Sequence, residues 1–461
     1  MISAIETLRK IRHTIVPLPF KYGSEFRQIF NFLLKHQFAG REELEEYQWL
    51  QLKALVAYAY KHVRYYRERF DASGIHPEEI KTRDDFSHLP ILYKEDVAEN
   101  LESLKSDEFA KFKPIGTITS GTTRDGLLTY RSQRQEHYRN AVVWRHHFNI
   151  GYRFREKRAQ ITSWFKFAGD SLKMPIDYNE NNLLIDQRKI TVQDSDSIYR
   201  QLRQFAPKML IAQPSDIVLL IECFRQRQLP PFAIPIIYCL GEKLYPEYRQ
   251  AISSFFGTNI VVFYGNRENT ASAGELSDGR MYINSEYCYL EFESDDHQPL
   301  SAKPANIIST SLQNYAFPLI RYHTKDLGIL RGSPPDALRH FETMEVIGGR
   351  GKDLLLTQKG LICPHIYSYL ETKGTFHVRR IQLEQKAIDE LIVRLVPDQS
   401  FDPALEPRMI EKAFVELFEG KCRIGIEIVD RINRTDSGKY KFVISEPAMQ
   451  QLRRSLGSSG C

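Results

Sequence analysis

The chain has 461 residues, which is too long for one ordinary hydrophobic core and predicts two or three domains. Hydrophobic residues make up 42% and charged residues 26%, as is typical of globular proteins. The 63 basic and 58 acidic residues give a formal net charge of +5, an excess too thin to favour a nucleic-acid partner.

The cysteines give no sign of a zinc site or a disulfide framework, because none are spaced as C-x-x-C. They are Cys223, Cys239, Cys288, Cys363, Cys422 and Cys461. This usage is typical of a reducing cytoplasm, which is the expected location. No signal peptide is expected at the start of the chain, and no apolar run approaches the ~20 residues needed to span a bilayer.

The N-terminal part is predicted to be helical. Residues 41–68 carry apolar positions at helical spacing, with Leu50, Leu55, Tyr58 and Val63 near one face. The first 40 residues mix basic and large apolar side chains. A helix packed on the main body is the favoured interpretation, and a peripheral membrane contact is the alternative.

From about residue 115 to 350, short apolar runs alternate with helical stretches. Lys208–Ala212 is predicted to be a strand, and Ser215 is predicted to cap a helix that runs towards Arg225. Further strands are predicted at Ile115–Ile118, Ile234–Leu240, Ile260–Tyr264 and Tyr287–Glu293. This alternation predicts an α/β fold in several layers with mostly parallel sheets.

Beyond Arg350 the pattern changes to strands at 377–384, 390–396 and 422–430 around a helix near 406–418. These elements predict a separate small α+β domain. The run GGRGKD from Gly348 to Asp353 is typical of a flexible joint. We therefore predict a large domain at 1–349 and a small mobile domain at 350–461.

Hydroxyl side chains and a glycine are predicted to form a turn after the strand at 115–118, in the order Thr119, Ser120, Gly121, Thr122 and Thr123. Such a turn can cradle phosphate oxygens, which need several convergent donors. A plain turn is the alternative. The Walker spacing of a P-loop is absent, since no Gly-Lys-Ser/Thr follows.

Three later segments also carry chemically suitable side chains. Tyr264 follows a strand and could stack on a nucleobase, and Glu268 could hold Mg²⁺ against phosphate oxygens. Asp326, in the run PLIRYHTKDLG, could accept hydrogen bonds from both ribose hydroxyls. Lys439 is predicted to lie in a loop, in the run INRTDSGKY. Taken singly, each segment is also explained as an ordinary turn or a solvated charge.

Taken in order, these motifs resemble the adenylate-forming superfamily of acyl-CoA ligases, luciferases and peptide-synthetase adenylation domains. The order is S-G-T-T, L-G-E, Y-G-x-x-E, R-Y-x-T-x-D-L, G-R-x-x-D and T-x-S-G-K, spread over more than 300 residues. The early runs LVAYAYKHVRYYRERFDASGI and LPILYKEDVAEN are similar to the phenylacetate–CoA ligase-like branch, which includes proteins of capsular polysaccharide clusters.

The resemblance implies roles for individual residues. Glu268 would hold Mg²⁺, Lys439 would be the catalytic lysine, and Lys352 would be the hinge between the domains. The residues that it assigns to ATP are Thr119, Ser120, Gly121, Thr122, Thr123, Gly241, Glu242, Tyr264, Gly265, Asn266, Asp326 and Arg350. Among them, the loop at 119–123 would grip the β- and γ-phosphates, Gly241 and Glu242 would border the adenine, and Asp326 would bind the ribose with Arg350.

The chain departs from the family pattern at three places. Arg124, Asp125 and Gly126 follow Thr123, where the family usually continues G-K-P. In the ribose motif, commonly Y-R-T-G-D, His323 and Lys325 replace Arg and Gly. Some members carry a Cys/His zinc cluster after Y-G-x-x-E, but this chain has neither residue there, so no zinc is expected.

The predicted function is ATP-dependent, AMP-forming activation of a carboxylic acid, with ATP and Mg²⁺ as cofactors and coenzyme A as acceptor. One alternative transfers the acyl group to an amine, in a glycan or secondary-metabolite pathway. A second alternative is a degenerate nucleotide-binding protein without turnover. Because the branch often dimerises, a homodimer is also an expectation.

Acyl specificity is almost unreadable from the sequence. Trp164, Phe165 and Phe167 are candidate walls of the acyl pocket and would favour an aromatic or apolar acid, with core packing as the alternative. His146 and His147 lack metal-ligand spacing and are predicted to be surface or packing residues.

Overall fold

The computed structural model describes residues 22–118, 127–162, 176–177, 180–293, 305–348, 355–362, 369–370, 373–374, 376–432, 443–448 and 450–451. In these ranges the α-helices are α1 (Gly23–His36), α2 (Arg41–His62), α3 (Arg64–Ala72), α4 (Arg83–Ser87), α5 (Lys94–Glu99), α6 (Gln133–Asn149), α7 (Ser195–Phe205), α8 (Pro214–Gln226), α9 (Pro246–Phe256) and α10 (Glu406–Leu417).

Most strands belong to one twelve-stranded sheet, and the rest form an antiparallel pair on either side of residues 119–126, a hairpin and a C-terminal sheet. The strands are β1 (Ile115–Ile118), β2 (Leu128–Arg131), β3 (Arg158–Thr162), β4 (Ile176–Asp177), β5 (Asn182–Asp186), β6 (Met209–Ala212), β7 (Ile236–Leu240), β8 (Asn259–Gly265), β9 (Ser272–Glu275), β10 (Met281–Ile283), β11 (Cys288–Glu293), β12 (Ala305–Ser311), β13 (Tyr322–Gly332), β14 (Thr343–Gly348), β15 (Leu355–Thr357), β16 (Gly360–Ile362), β17 (Val378–Ala387), β18 (Glu390–Pro397), β19 (Arg423–Ile428) and β20 (Val443–Ser445).

The large sheet has the strand order β11-β12-β13-β14-β10-β9-β8-β7-β6-β3-β5-β4. The neighbours β5, β3, β6, β7 and β8 run parallel. From β8 to β11 every neighbouring pair is antiparallel. The predicted α/β fold is confirmed, but parallel pairing is limited to the middle strands, because the later strands are joined by hairpins rather than helical crossovers.

The central parallel strands β6 and β7 are apolar along their whole length because both of their faces are covered. On one face, side chains of α7, α8 and α9 pack against β3, β5, β6 and β7 in one hydrophobic cluster. On the other face, α1 and α6 pack in a second cluster that includes Phe26, Trp144 and Tyr238. The buried residues of α1, Phe26 to Leu33, confirm the prediction of an N-terminal helix packed on the main body.

The helical prediction for 41–68 is confirmed with one interruption. Val63 is extended (φ −124°, ψ 112°) and separates α2 from α3, because it forms an isolated bridge with Ser106. Leu55 and Val63 are buried as predicted, but Leu50 is 51% exposed. Here Leu52 and Val56 take the buried face of α2 instead.

The C-terminal strands form a four-stranded sheet, in the order β19-β18-β17-β20, with α10 packed on one face. The strands predicted at 377–384, 390–396 and 422–430 are β17, β18 and β19, and the predicted helix is α10. A small C-terminal α+β unit is therefore confirmed as part of the fold. No described helix is both long and apolar enough to cross a membrane.

Candidate functional site

The carboxyl ends of the middle parallel strands meet at one edge of the large sheet. Gln213 follows β6, Gly241 follows β7, and β8 ends at Gly265. In open α/β sheets this edge is where ligands bind. Gly241 has φ +77°, and a Cβ built there would lie 3.0 Å from Nε2 of Gln213, so both backbone and space favour glycine.

Glu242 follows β7, and its side chain reaches the N-terminus of α8. Its carboxylate accepts hydrogen bonds from the hydroxyl of Ser215 at 2.8 Å and from the Ser215 amide at 3.3 Å. The prediction that Ser215 caps this helix is wrong, since the N-cap is Gln213 and Pro214 takes the first helical position. The Ser215 amide lies in the first turn of α8, where amides have no carbonyl partner within the helix, and Glu242 accepts its hydrogen bond. The negative charge of Glu242 is also favourable at a helix N-terminus.

Glu268 lies on a tight turn that the polar side chain of Asn266 closes. Oδ1 of Asn266 accepts from the amides of Thr270 (2.9 Å) and Ala271 (3.1 Å). The same side chain donates to the Thr270 hydroxyl at 2.6 Å. Asn269 is left-handed (φ +58°), which Asn tolerates better than most residues. The described bonds of the Asn266 side chain therefore shape the turn, and its predicted contact with nucleotide stays a prediction.

The turn is also anchored to the rest of the large sheet. The Asn269 carbonyl accepts from Gln135 Nε2 (2.9 Å) and from the Tyr287 hydroxyl (3.0 Å). The hydroxyls of Thr270 and Ser309 are 2.6 Å apart. Because these partners come from α6, β12 and the segment before β11, Glu268 is held by much of the fold rather than by a free loop.

Two tyrosine–carboxylate pairs join this turn to β13. The Tyr264 hydroxyl donates to Oδ2 of Asp326 at 3.1 Å, and the Tyr322 hydroxyl donates to Oε1 of Glu268 at 3.0 Å. β8 and β13 are four strand positions apart, which is about 19 Å in a flat sheet. The sheet must therefore curl so that β13 comes over the end of β8, and this curl brings Glu268 and Asp326 together.

β13 is tied to the N-terminal helical region by Arg321, which is buried. Its Nε lies 3.1 Å and 3.2 Å from the two carboxylate oxygens of Glu291. The guanidinium also bonds Glu293 and the carbonyls of Ser87 and Leu89. Burial raises the pKa of Glu291 to about 7 even though Arg321 opposes the shift. This buried cluster fixes the start of β13 next to the site.

Lys325 occupies a position where the family motif has glycine, and its backbone is left-handed (φ +63°). A non-glycine residue in this region costs about 1–2 kcal/mol. Its ion pair with Glu95, 2.8 Å long, is exposed and contributes at most about 1 kcal/mol.

We therefore expect Lys325→Gly to raise the free energy of unfolding by about 1 kcal/mol in urea titrations, because the backbone strain is relieved. The same substitution at Lys412, an exposed residue inside α10, should lower it by about 1 kcal/mol. Equal losses at both positions would contradict this account of Lys325.

His146 and His147 are both buried, so the packing interpretation is confirmed. Nε2 of His146 donates to the Glu275 carbonyl at 2.8 Å, because a carbonyl can only accept. Nδ1 then accepts from the Tyr238 hydroxyl at 3.2 Å. The His147 ring packs edge-on against Trp144 and Tyr152.

Burial lowers the pKa of His146 to about 4. Between about pH 4 and the unfolded pKa of about 6.5, the unfolded chain binds a proton that the folded chain does not, so stability falls as pH falls. We expect this residue to remove about 2 kcal/mol of unfolding free energy between pH 7 and pH 5. His146→Gln should flatten that pH dependence, whereas the same change at exposed His88 should not. Identical slopes for all three proteins would exclude this role for His146.

Several predicted site residues lie outside the described residues. They are the loop residues Thr119, Ser120, Gly121, Thr122 and Thr123, then Trp164, Phe165, Phe167, Arg350, Lys352 and Lys439. Their roles stay predictions. Of the predicted site residues that are described, the structure joins Tyr264 to Asp326 by a hydrogen bond and joins Glu268 to Tyr322 by another. Tyr322 was missed, although it stands in the motif that singled out Asp326.

No group of three or more described His, Cys, Asp and Glu residues could hold a metal ion by itself. Glu268 still suits Mg²⁺ as a single protein ligand, since this ion commonly takes one or two carboxylates and completes its shell with phosphates and water. The four described cysteines, Cys223, Cys239, Cys288 and Cys422, are free and buried.

A family model and several curated proteins are similar to this chain. The family model of the CapK C-terminal domain matches residues 355–446. The phenylacetate-coenzyme A ligase of Escherichia coli K12 is 27% identical over 333 residues, covering 69% of this chain and 74% of that protein. Protein CapK of Staphylococcus aureus is 22% identical and covers 87% of this chain and 89% of CapK. The chain is a homologue of the phenylacetate–CoA ligases and of CapK.

The fold of this chain also matches solved structures. A 2-hydroxyisobutyryl-CoA ligase, solved with 2-HIB-AMP and CoA, aligns with a TM-score of 0.61 and 18% identity. The alignment covers 92% of this chain and 94% of that ligase. An open conformation of the same ligase aligns with a TM-score of 0.54. At this identity the likeness shows the fold, a large α/β region followed by a smaller C-terminal domain.

Proposed function

We propose that this protein activates a carboxylic acid with ATP, releasing pyrophosphate, and then transfers the acyl group from the acyl-adenylate to coenzyme A. The observation that carries the proposal is the convergence of Glu268 and Asp326 beside the carboxyl edge of the parallel strands. These two carboxylates come from segments far apart in the chain, and each is held by a tyrosine of the other segment. Homology to proteins named phenylacetate-coenzyme A ligase supports the same reaction.

The chemistry needs positive charge where two anions meet, because a carboxylate must attack the negatively charged α-phosphate. Mg²⁺, when bound by Glu268, would neutralise part of the charge of the departing pyrophosphate. Asp326 is suited to accept hydrogen bonds from the ribose hydroxyls and so to fix the sugar. Gly241 and Glu242 are proposed to border the adenine. Lys439 is proposed to bridge the acid, the α-phosphate and the ribose oxygens.

The two half-reactions are proposed to use one chain in two domain arrangements. The large domain, residues 1–349, would hold the nucleotide through the 119–123 loop, Asp326 and Arg350. The small domain, residues 350–461, would turn about Lys352, present Lys439 for adenylation and then expose a different face for acyl transfer. The 2-hydroxyisobutyryl-CoA ligase has been solved in an open and in a thioesterification state, which supports this proposal.

Exchange of labelled pyrophosphate into ATP, driven by a panel of aromatic and aliphatic acids, tests the activation step. We expect at least one acid to drive exchange, and Lys439→Ala to reduce it by roughly 100-fold or more. Exposed Lys386, on β17, provides a matched lysine-to-alanine control. Mass spectrometry of the products formed with coenzyme A or with amines then identifies the acceptor. No exchange with any acid would contradict the proposal. Amide products would show that the acceptor is an amine and not coenzyme A.

A further inference from the structure

The two tyrosine–carboxylate pairs are crossed between two chain segments. In the first segment Tyr264 precedes Glu268 by four residues, and in the second Tyr322 precedes Asp326 by four residues. Each hydroxyl bonds the carboxylate of the other segment. Neither carboxylate is therefore placed by its own segment alone.

We propose that Tyr322 is a positioning residue that orients Glu268 for Mg²⁺, while Tyr264 separately orients Asp326 for the ribose. The inference rests on the proposed function, because it assigns the two carboxylates to different parts of MgATP. It predicts that the Tyr322 hydroxyl affects Mg²⁺ binding and not ATP binding, and that the Tyr264 hydroxyl affects ATP binding and not Mg²⁺ binding.

The backbone around Tyr322 is held from both sides. On one side Tyr322 pairs with Ser309 of β12. On the other side the Leu92 amide donates to the Arg321 carbonyl at 3.0 Å, and the His323 amide donates to the Leu92 carbonyl at 2.9 Å. The Tyr322 side chain is 3% exposed. Its hydroxyl is thus a fixed donor, which is what orienting a carboxylate requires.

The Tyr322 hydroxyl bonds only one of the two oxygens of the Glu268 carboxylate. This bond occupies Oε1, and Oε2 has no hydrogen-bond partner among the described residues. One oxygen is therefore fixed by the protein and the other is open to a cation. Loss of the tyrosine hydroxyl would leave the carboxylate free to rotate.

Asp326 is also held by a buried tyrosine hydroxyl, that of Tyr264, but its proposed ligand is the ribose. Tyr264 is buried, and burial together with the Asp326 carboxylate raises the pKa of its hydroxyl. The Asp326 amide donates to Oγ1 of Thr324 at 3.1 Å, and that hydroxyl donates to the Ile307 carbonyl at 2.8 Å. Asp326 is thereby fixed through its backbone and through one carboxylate oxygen.

Two single substitutions separate the roles. Tyr322→Phe should raise the Mg²⁺ concentration for half-maximal pyrophosphate exchange about 10-fold, the size expected for one hydrogen bond to a charged group, and should leave KM for ATP at saturating Mg²⁺ unchanged. Tyr264→Phe should raise that KM about 10-fold and reduce discrimination between ATP and 2′-deoxy-ATP, without shifting the Mg²⁺ dependence.

A binding measurement gives a readout apart from turnover. Mn²⁺ titrated in the presence of a non-hydrolysable ATP analogue and followed by electron paramagnetic resonance should bind Tyr322→Phe about 10-fold more weakly than wild type, but bind Tyr264→Phe normally. Tyr199→Phe, which removes an exposed hydroxyl bond to the Pro230 carbonyl, is the matched control and should behave as wild type. Circular dichroism melts of each variant show whether it is folded.

The outcomes distinguish this inference from the proposed function. One outcome is that wild type exchanges pyrophosphate while both tyrosine variants shift the Mg²⁺ concentration for half-maximal exchange and KM for ATP equally. In that case the separate roles are wrong and the ligase activity stands. If wild type neither exchanges pyrophosphate nor binds the nucleotide analogue, the proposed function fails and the inference falls with it.

Discussion

Glu268→Gln should reduce pyrophosphate exchange by roughly 100-fold at millimolar Mg²⁺, the loss expected when one interaction with transition-state charge is removed. The amide can still accept the hydrogen bond from Tyr322, which lies 3.0 Å from Oε1 in the wild-type protein. The turn closed by Asn266 should therefore keep its shape. The substitution removes the negative charge and little else, so the Mg²⁺ dependence of exchange should shift to higher concentration.

The control for this charge change is Glu345, whose carboxylate pairs with Arg331 at 3.0 Å on the surface. Glu345→Gln should leave exchange unchanged. Melting temperatures of both variants should stay close to that of wild type. A Glu268→Gln protein with the wild-type Mg²⁺ dependence would remove Glu268 from the metal site, even if the overall rate fell.

Glu286→Ala should lower the free energy of unfolding by about 3–5 kcal/mol, which is the usual cost of breaking a buried ion pair. Glu286 is fully buried, and its oxygens lie 2.7 Å and 3.2 Å from the guanidinium of Arg145 and 3.3 Å from His36. Burial would raise the pKa of Glu286, but Arg145 and His36 outweigh it and lower the pKa below its ordinary value. The carboxylate is therefore charged, and its removal leaves Arg145 buried without its counter-charge.

Thermal unfolding should show this loss as a fall of roughly 5 °C or more in the melting temperature. The double replacement Arg145→Met with Glu286→Leu should recover much of the stability, because no buried charge is then left alone. Glu416→Ala, which removes an exposed pair with Lys373, should change stability by less than about 1 kcal/mol. A double variant as unstable as Glu286→Ala would show that packing, and not charge, explains the effect.

Short strands and helices were predictable where local pattern and burial agree. β6 and β7 are apolar along their length, and burial on both faces of a parallel sheet requires that pattern. The helix α10 and the strands β17 to β19 follow equally clear periodicity. The local pattern misplaced the cap of α8, because Pro214 fits the first helical position and moved the helix start ahead of Ser215. It also missed the break at Val63, which depends on a bridge to Ser106.

Order of motifs along the chain was enough to relate Glu268 and Asp326 to one kind of site, since each residue type suits its proposed ligand. Sequence order could not show that Tyr322 contacts Glu268, because that contact requires β13 to curl over the end of β8, four strands away in the sheet. A hydrogen bond at 3.0 Å depends on the summed twist and curl of every strand between its partners. Local residue patterns show which side chains have the right chemistry for a ligand. The distances between these side chains are set only when the whole sheet is assembled.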